Sequence, residues 1–334
     1  MGKLLTKDLD KMLGCIKKNP RVIIPPQPGF DSGVHLANGN KCTVVSTDPC
    51  INVPEKWFGW LLIHYSASDV ALFGAKPEFS TINLLGPPST RPQTFQNIMQ
   101  QACGAADELQ IAIVTGHTGT YHGLSTPIGV CTTYGTIDRR KLITPGGARP
   151  GDYIFCTKSV GLEVAVNFAL SREGRAKRIL GVQQTQKLME LVPMQSCVKE
   201  ALLLAETGGV HAMHDATEGG LTAALNEMAE ASRVGFTIDF ERISICKEVQ
   251  TLRKHFQLSD KQLLSMSSTG TILASVSPEA REKIEVTMRR SKIQANILGI
   301  FTKNMRRILR KDRKETMFPR DADDPYVRIL SGKL

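Results

Sequence analysis

The stretch HDATEGG in the second half of the chain combines residue types that could hold a phosphate. We predict that an apolar strand ends at His214 and Asp215, and that Thr217 caps the helix that follows. Gly219 and Gly220 then lie in the first helical turn, where glycine lowers helix stability, so a ligand or a neighbouring backbone must approach closely. A helix N-terminus favours anions, and Asp215 could hold Mg²⁺ against the same phosphate. The stretch predicts a nucleotide-phosphate site, with a tightly packed strand–helix turn as the alternative.

Three further aspartates lie where a carboxylate could act. Asp48 follows a short β-type run in the sequence STDP, where chains often place functional groups, although an aspartate before proline also suits a turn. Asp69 lies within a largely apolar predicted helix, so it needs a cation, a metal or hydrogen-bond donors. A satisfied core aspartate is the alternative for that position. Asp31 lies in a glycine-rich turn, and on this segment alone a turn role is the simpler interpretation.

A loop rich in glycine, threonine and histidine is predicted between two strands, at 111–115 and 128–137. It has the sequence IVTGHTGTYHG and contains Gly116, His117 and Thr118. Glycines let a backbone approach a phosphate, and hydroxyls can donate to one. Histidines suggest instead a metal site or proton transfer. Both interpretations remain open at the level of this segment.

Alternating strand and helix patterns must position these residues. Helices are expected over about 56–73, 92–109 and 183–206, with apolar β-type runs between helical segments. The run TPGGARPGD concentrates proline and glycine and is the best domain boundary in the chain. The expected domains are 1–150 and 151–334. The alternation predicts an α/β (α+β) layered fold.

The composition limits the class of protein. The chain has 334 residues with 41% hydrophobic residues, enough for two domains with sizeable cores. No apolar run approaches the roughly 20 residues that span a bilayer, so no membrane association is expected. Eight cysteines without a CxxC pair suit buried thiols in a reducing cytoplasm. The net charge of +10 suits anionic small substrates such as nucleotides. The basic run near the C-terminus lacks interleaved aromatics, so nucleic-acid binding is not expected.

Six segments in this order resemble the superfamily of ATP-dependent synthetases typified by aminoimidazole ribonucleotide synthetase. Its members include thiamine monophosphate kinase, selenophosphate synthetase and the hydrogenase-maturation carbamoyl dehydratase. The segments are GFDSGV at 29–34, STD at 46–48, SDVALFGAKP at 68–77, GHTG at 116–119, GARPGD at 147–152 and HDATEGGLTAALNEMA at 214–229. The likeness covers most of the chain, and the last segment is close to the dehydratase's His-Asp-Pro-Thr-Arg-Gly-Gly-Leu.

The resemblance implies a two-domain fold and a site for ATP with Mg²⁺. In the family, β-rich N-terminal domains join two copies through a β-barrel, and an α/β layered domain follows. The implied chemistry moves the γ-phosphoryl group of ATP onto an oxygen of a small-molecule substrate, which depends on positioning and charge neutralisation. The expected metal ligands are Asp31, Asp48, Asp69 and Asp215. The expected contacts to the nucleotide are Thr47, Asp48, Gly116, His117, Thr118, His214, Thr217, Gly219 and Gly220.

The sequence also departs from the family pattern. Phe30 stands where the family has the first acidic residue of a pair, and His117 stands where it has the Asp of Gly-Asp-Thr. Two metal-binding carboxylates of the family are therefore absent. The dehydratase modifies its own C-terminal cysteine, whereas the last cysteine of this sequence is Cys246. We therefore expect no self-modification of that kind.

Three functions follow as alternatives. The chain is an ATP-dependent synthetase, kinase or dehydratase that acts on a free small molecule, or a non-catalytic relative that binds nucleotide or a maturation-protein partner. The third alternative is a maturation dehydratase with another acceptor. Nucleotide binding with turnover separates the first from the second.

Overall fold

The computed structural model describes residues 6–331, and two compact units account for most of them. One unit comprises Leu13–Leu142, and the other includes the chain from Ile143 onward. A helix α1 (Thr6–Leu13) precedes the first strand. The division at residue 150 into separately folding domains stays a prediction.

The N-terminal unit is a six-stranded sheet with two helices. Its elements are β1 (Val22–Ile24), β2 (Gly33–Leu36), β3 (Lys41–Ile51), α2 (Phe58–Leu72), β4 (Phe79–Gly86), α3 (Pro92–Leu109), β5 (Ala112–Thr120) and β6 (Ile128–Asp138). The strand order is β1-β2-β3-β6-β4-β5, antiparallel except for the parallel pair β4 and β5. Alternate residues of β3 are buried, as expected of a strand with one covered face.

Helix α2 is buried on nearly all sides because it lies between the sheet and α3. The two helices approach so closely that a Cβ added to Gly59 would lie 2.0 Å from the Ile98 carbonyl oxygen. Only glycine fits at this crossing. The covered face of the sheet is thereby fixed to α2, and the opposite face is left open within this unit.

The C-terminal unit is a seven-stranded sheet with helices. Its elements are β7 (Tyr153–Thr157), α4 (Leu162–Ser171), α5 (Glu173–Leu180), α6 (Val182–Met189), α7 (Val198–Thr207), β8 (Val210–Ala216), α8 (Gly220–Ser232), β9 (Gly235–Asp239), α9 (Lys247–His255), α10 (Asp260–Leu264), β10 (Ser268–Val276), α11 (Arg281–Arg290), β11 (Ala295–Thr302), β12 (Arg307–Lys311), β13 (Lys314–Met317) and α12 (Tyr326–Ser331). The strand order is β13-β12-β9-β11-β7-β10-β8. Residues of β7, β9, β11 and α8 share one apolar core, so α8 is anchored to the sheet.

The single long helix expected over 183–206 is wrong. The chain forms α6, a short 3-10 turn at Val192–Gln195, and α7. Pro193 lies at the start of the 3-10 turn, and proline cannot donate the backbone hydrogen bond that a continuous helix needs. The break places Met194 and Ser196 where their carbonyl groups face β7.

Those carbonyls are bound by a buried lysine at the end of β7. Lys158 is 4% exposed, and its Nζ donates to Met194 O at 3.0 Å and to Ser196 O at 2.6 Å. The Glu200 carboxylate accepts from the same Nζ at 3.0 Å. Full hydrogen bonding makes the burial of this ammonium group tolerable.

Among residues 6–331, no helix has both the length and the apolar character of a membrane-spanning segment. All eight cysteines are free thiols.

Candidate functional site

A buried polar layer joins α2 to the covered face of the N-terminal sheet. The Ser46 hydroxyl donates to Asp69 Oδ2 at 2.8 Å, and both side chains are buried. Nearby, the Thr133 hydroxyl contacts Ser66 Oγ at 2.7 Å and Ser80 Oγ at 2.8 Å. Asp69 therefore has a hydrogen-bond donor inside its own unit. This agrees with the interpretation of Asp69 as a structural aspartate of the core. Its role as a metal ligand stays a prediction.

Asp48 and Thr47 lie next to each other on β3 but on opposite faces of the sheet. Asp48 is half-buried on the covered face, opposite Cys131 of β6. Burial raises the pKa of the Cys131 thiol, and the nearby Asp48 carboxylate raises it further. Thr47 is exposed on the open face, where it accepts a hydrogen bond from Thr132 Oγ1 at 2.9 Å. Asp31 comes two residues before β2. Because Gly33 pairs with Val45, Asp31 lies near the end of the sheet where β3 carries Thr47 and Asp48.

The predicted loop that contains Gly116, His117 and Thr118 is wrong, because these residues lie inside strand β5. They pair in parallel with β4, and His117 is opposite Asn83. Side chains alternate along a strand, so His117 lies on the open face, whereas Asp48 lies on the covered face. The His117 ring hydrogen-bonds the Tyr121 hydroxyl. A phosphate-facing turn at this segment is therefore not what the structure shows.

The open face carries a row of four threonines, one from each of four neighbouring strands. The row consists of Thr47, Thr132, Thr81 and Thr115, which the strand register places side by side. One step along, Phe79 stacks on Tyr134 with ring centroids 5.5 Å apart, and Phe79 remains 40% exposed. Hydroxyls and aromatic rings thus share one uncovered surface.

Phe30 is a packing residue in this unit. Its ring meets Phe73, at the end of α2, edge to face with centroids 6.4 Å apart. A phenylalanine offers no oxygen to a cation, so Phe30 contributes an apolar contact at this position.

In the C-terminal unit, His214 and Asp215 lie inside β8 and are buried. The His214 Nε2 atom lies 2.7 Å from a carboxylate oxygen of Glu227 on α8, and its Nδ1 lies 3.6 Å from Asp215 Oδ1. Strand and helix are thus linked through one imidazole flanked by two carboxylates.

The expected Thr217 cap is wrong. Helix α8 begins at Gly220, its N-cap is Gly219, and no side chain caps it. Thr217 contributes only its carbonyl oxygen, which accepts from the Gly220 N–H at 2.9 Å and closes a turn. Both glycines have left-handed φ values, of 80° and 56°. A Cβ on Gly220 would lie 2.4 Å from the Met266 carbonyl oxygen, so neighbouring backbone alone explains this glycine.

Sequence reasoning missed two acidic residues beside this turn. Asp324 Oδ2 accepts from the Gly219 N–H at 3.3 Å and from the Ser267 hydroxyl. Glu163, in the first turn of α4, is buried and accepts from the backbone N–H and the hydroxyl of Thr269, at 2.9 and 2.7 Å. Burial raises the pKa of Glu163 to about 7, despite these donors. Neither residue belongs to a motif, so the sequence held no signal for them.

The donors of the N-terminal unit fit a hard cation. Asp31 and Asp48 offer carboxylate oxygens, a ligand type that Mg²⁺ accepts, whereas Thr47 lies on the opposite face of the sheet from Asp48 and does not share an ion with it. Both carboxylates are only half-buried, so they can reach a bound ion. The Asp69 carboxylate is already engaged by Ser46.

Two sequence profiles of one family match the chain. The profile described as AIR synthase related protein, N-terminal domain, matches residues 29–137, and the C-terminal domain profile matches residues 149–311. Together they cover most of the sequence, and the chain belongs to the AIR synthase-related family. The resemblance and the mixed α/β fold class predicted above are confirmed.

Named relatives cover much of the chain. It is 29% identical over 286 residues to a hydrogenase expression/formation protein of Methanocaldococcus jannaschii, a match that covers 84% of this chain and 82% of the relative. It is 29% identical over 260 residues to the selenide, water dikinase of Myxococcus xanthus, covering 75% and 70%. The crystal structure of the hydrogenase maturation protein HypE in complex with ATP is 18% identical, with a TM-score of 0.71, covering 90% of this chain and 92% of that one. At this identity the structural likeness concerns the fold.

Proposed function

We propose that the chain is an ATP-dependent enzyme that transfers a phosphoryl group to an oxygen of a small-molecule substrate. The observation that carries this proposal is the membership of both halves of the chain in one family, together with the donors that the N-terminal unit retains. Asp31 and Asp48 offer hard oxygen ligands near one end of one sheet. One relative is named as a dikinase, and a structural neighbour was solved with ATP, which supports the same direction.

Each part of the proposed site has a physical role. Bound Mg²⁺ would neutralise phosphate charge, and Asp31 and Asp48 would hold it. In the C-terminal unit, the backbone N–H groups at the start of α8 would orient a second anionic group. The chain's residues would thus mainly position the substrate and the nucleotide and neutralise the charge of the phosphate groups.

The test is to measure Mg²⁺-dependent ATP binding by calorimetry, first in the unaltered chain and then in Asp48→Asn. We expect at least tenfold weaker binding in that variant, because one carboxylate charge on the metal is lost, about 1.4 kcal/mol or more. Asp107→Asn is the control, since Asp107 is exposed on α3, away from these ligands. No ATP binding by the unaltered chain at millimolar nucleotide would refute the proposal.

A second candidate is a non-catalytic relative. It would bind nucleotide but lack some of the carboxylates that bind metal in the family. The contact of Phe30 with Phe73 favours it, because an apolar ring lies where the resemblance implies an acidic ligand. ATP binding without turnover, across a panel of carboxylate, amide and alcohol substrates, would select this candidate. Given the hydrogenase-related relative, a maturation protein is then the partner to search for.

The proposed active species is a homodimer in the cytoplasm. Within the described part of the N-terminal unit, β5 ends the sheet and pairs on one side only. Val114 of this edge strand is 54% exposed, and the open face carries Phe79. Long exposed edges and apolar faces favour association, and a second copy offers a matching surface. The eight free thiols suit a reducing compartment.

A further inference from the structure

Basic side chains collect on two neighbouring helices of the C-terminal unit. Helices α5 and α9 each carry three lysine or arginine residues but only one acidic residue, Glu173 on α5 and Glu248 on α9. The two helices pack beside each other, and the Arg175 guanidinium of α5 lies over the Phe256 ring, just after α9, 5.3 Å from its centroid. The surplus of positive charge on the two helices therefore lies on one part of the surface.

The turn between β12 and β13 continues this basic surface. Asp260, at the start of α10, binds Arg253 of α9 through one carboxylate oxygen and Lys311 of β12 through the other. Because two cations share one carboxylate, positive charge remains where α9 meets the turn. We call α5, α9 and the turn 311–314 together the basic stripe. Its fully exposed lysines and arginines, none of which has an acidic partner among the described residues, are Arg178, Lys247, Lys254, Arg313 and Lys314.

The turn carries this charge at the expense of local stability. Asp312 and Arg313 are its two central residues, with left-handed φ values of 48° and 63°. Glycine is favoured at the second of these places, yet an arginine with an exposed side chain occupies it. Lys311 and Lys314 pair directly across the turn, where like charges destabilise a hairpin. Exposed residues that oppose the local fold indicate a contact with an anion outside the chain.

The surroundings of the stripe favour a nucleic acid over a protein or a membrane. None of the exposed large apolar side chains of the described residues lies on α5, on α9 or in 311–314. Protein interfaces are centred on apolar and aromatic residues, and membrane-surface helices insert an apolar face. The stripe also exposes no phenylalanine, tyrosine or tryptophan on which an unpaired base could stack. Phosphates regularly spaced along a double helix fit a surface that offers only positive charge.

We propose that the basic stripe binds the phosphate backbone of a double-helical nucleic acid. Its lysines and arginines neutralise phosphates and release their counter-ions, without contacts that read the bases. RNA and DNA duplexes share this chemistry, and the probes below distinguish them. In the sequence the basic run near the C-terminus stands alone, and nucleic-acid binding is not expected from it, whereas the fold adds α5 and α9 to that run. This inference goes beyond the proposed function and does not depend on ATP binding.

The test measures binding of the full chain to three labelled probes by fluorescence anisotropy. The probes are a short RNA duplex, a DNA duplex of the same sequence and the single RNA strand. We expect a Kd of about 10 μM or below for at least one duplex at about 50 mM salt, with an affinity that falls steeply as salt is added. The single strand should bind about tenfold more weakly, because the stripe offers it no stacking surface.

Two variants separate the charge of the stripe from its folding. Arg313→Gly removes one charge and supplies the residue that the turn favours, so its Tm should equal or exceed that of the unaltered chain while duplex binding weakens about threefold. Lys254→Glu, on α9, should weaken duplex binding about tenfold and lower the salt dependence. Arg290→Glu is the matched control, since Arg290 is exposed on α11, outside the stripe. It reverses the same charge and should change the affinity by less than about twofold.

Several results would overturn the inference. One is the absence of duplex binding at about 100 μM protein, the weak end of binding to a phosphate backbone. Another is an equal loss of affinity in Lys254→Glu and Arg290→Glu, which would show an effect of net charge alone. Tighter binding of the single strand, or of phosphatidylserine vesicles, than of either duplex would also contradict it. If thermal unfolding shows that Lys254→Glu does not fold, Arg313→Gly decides in its place.

Discussion

Asp69 can be tested directly, because its two possible roles affect different measurements. It is 7% exposed and bound by the Ser46 hydroxyl, which is itself buried. Asp69→Ala would leave that hydroxyl without this acceptor, and we expect a loss of about 1–3 kcal/mol in the free energy of unfolding. Asp69→Asn keeps an acceptor oxygen and should lose less. Chemical denaturation of both variants measures these values.

The Mg²⁺ dependence of ATP binding separates the two roles of Asp69. A structural aspartate predicts that Asp69→Asn retains the Mg²⁺ affinity of the unaltered chain while Asp48→Asn does not. A parallel loss in both variants would show that Asp69 is a ligand and that the Ser46 contact is secondary.

Glu163 predicts a pH dependence of stability. Burial raises its pKa to about 7, with further raising by Asp324 and Glu218, against the donors of Thr269. The unfolded chain releases this proton near its ordinary pKa of 4.5, whereas the folded chain retains it until about pH 7. Stability should therefore fall between these values, by on the order of 3 kcal/mol. Glu163→Gln should remove this part of the pH profile in urea unfolding, and an unchanged profile would contradict it.

At the scale of elements, the start of α8 depends on glycine for steric reasons. Gly220 has a φ of 56°, and a Cβ there would lie 2.4 Å from a carbonyl oxygen. We expect Gly220→Ala to lower the free energy of unfolding by about 2–4 kcal/mol, measured by denaturant titration. Gly174→Ala in α5 is the control, because a Cβ there meets nothing within 4 Å. It should be neutral or stabilising by up to about 1 kcal/mol. Equal effects of the two substitutions would refute the steric account.

Local sequence signals predicted some elements well and failed at others. Helix α3 was expected over 92–109 and has these bounds, because Pro92 suits the first helical position and the apolar spacing is regular. The sequence predicts a strand at 111–115 but a loop after it, since the glycines and threonines in the second half of β5 look like turn residues. This half is a strand because it pairs in parallel with β4, a long-range partner that no local pattern reveals.

The same limit applies to the candidate site. Asp69 was noted from the sequence because a carboxylate within an apolar helix is unusual, whereas the metal-ligand role of Asp31, Asp48, Asp69 and Asp215 was implied by the resemblance and stays a prediction. The Asp324 contact with Gly219 joins residues 105 positions apart, so only the fold brings them together. Phe30 was recognised as a departure from the family, but its packing on Phe73 became evident only from the structure.

At the scale of the whole molecule, the open face of the N-terminal sheet predicts association. Phe79→Glu would place a charge beside the Tyr134 ring on that face. We expect the unaltered chain to sediment as a dimer at micromolar concentration and Phe79→Glu to sediment as a monomer, because a buried unpaired charge is costly. Val182→Glu, at an exposed position of the other unit, is the control and should remain dimeric. A monomeric unaltered chain at about 100 μM, within the micromolar-to-millimolar range where exposed apolar surface associates, would argue against the dimer.

The hydrogen bonds of Lys158 to Met194 O, Ser196 O and Glu200 affect how this lysine reacts with chemical labels. Its amine is surrounded by three oxygen acceptors and is 4% exposed, unlike the solvated lysines of the surface. Acylating reagents require a free, deprotonated amine, so this nitrogen remains unmodified for as long as the C-terminal unit keeps its native packing. When an acylating reagent is present, the modification of this one lysine, followed by mass spectrometry, therefore reports the opening of that unit.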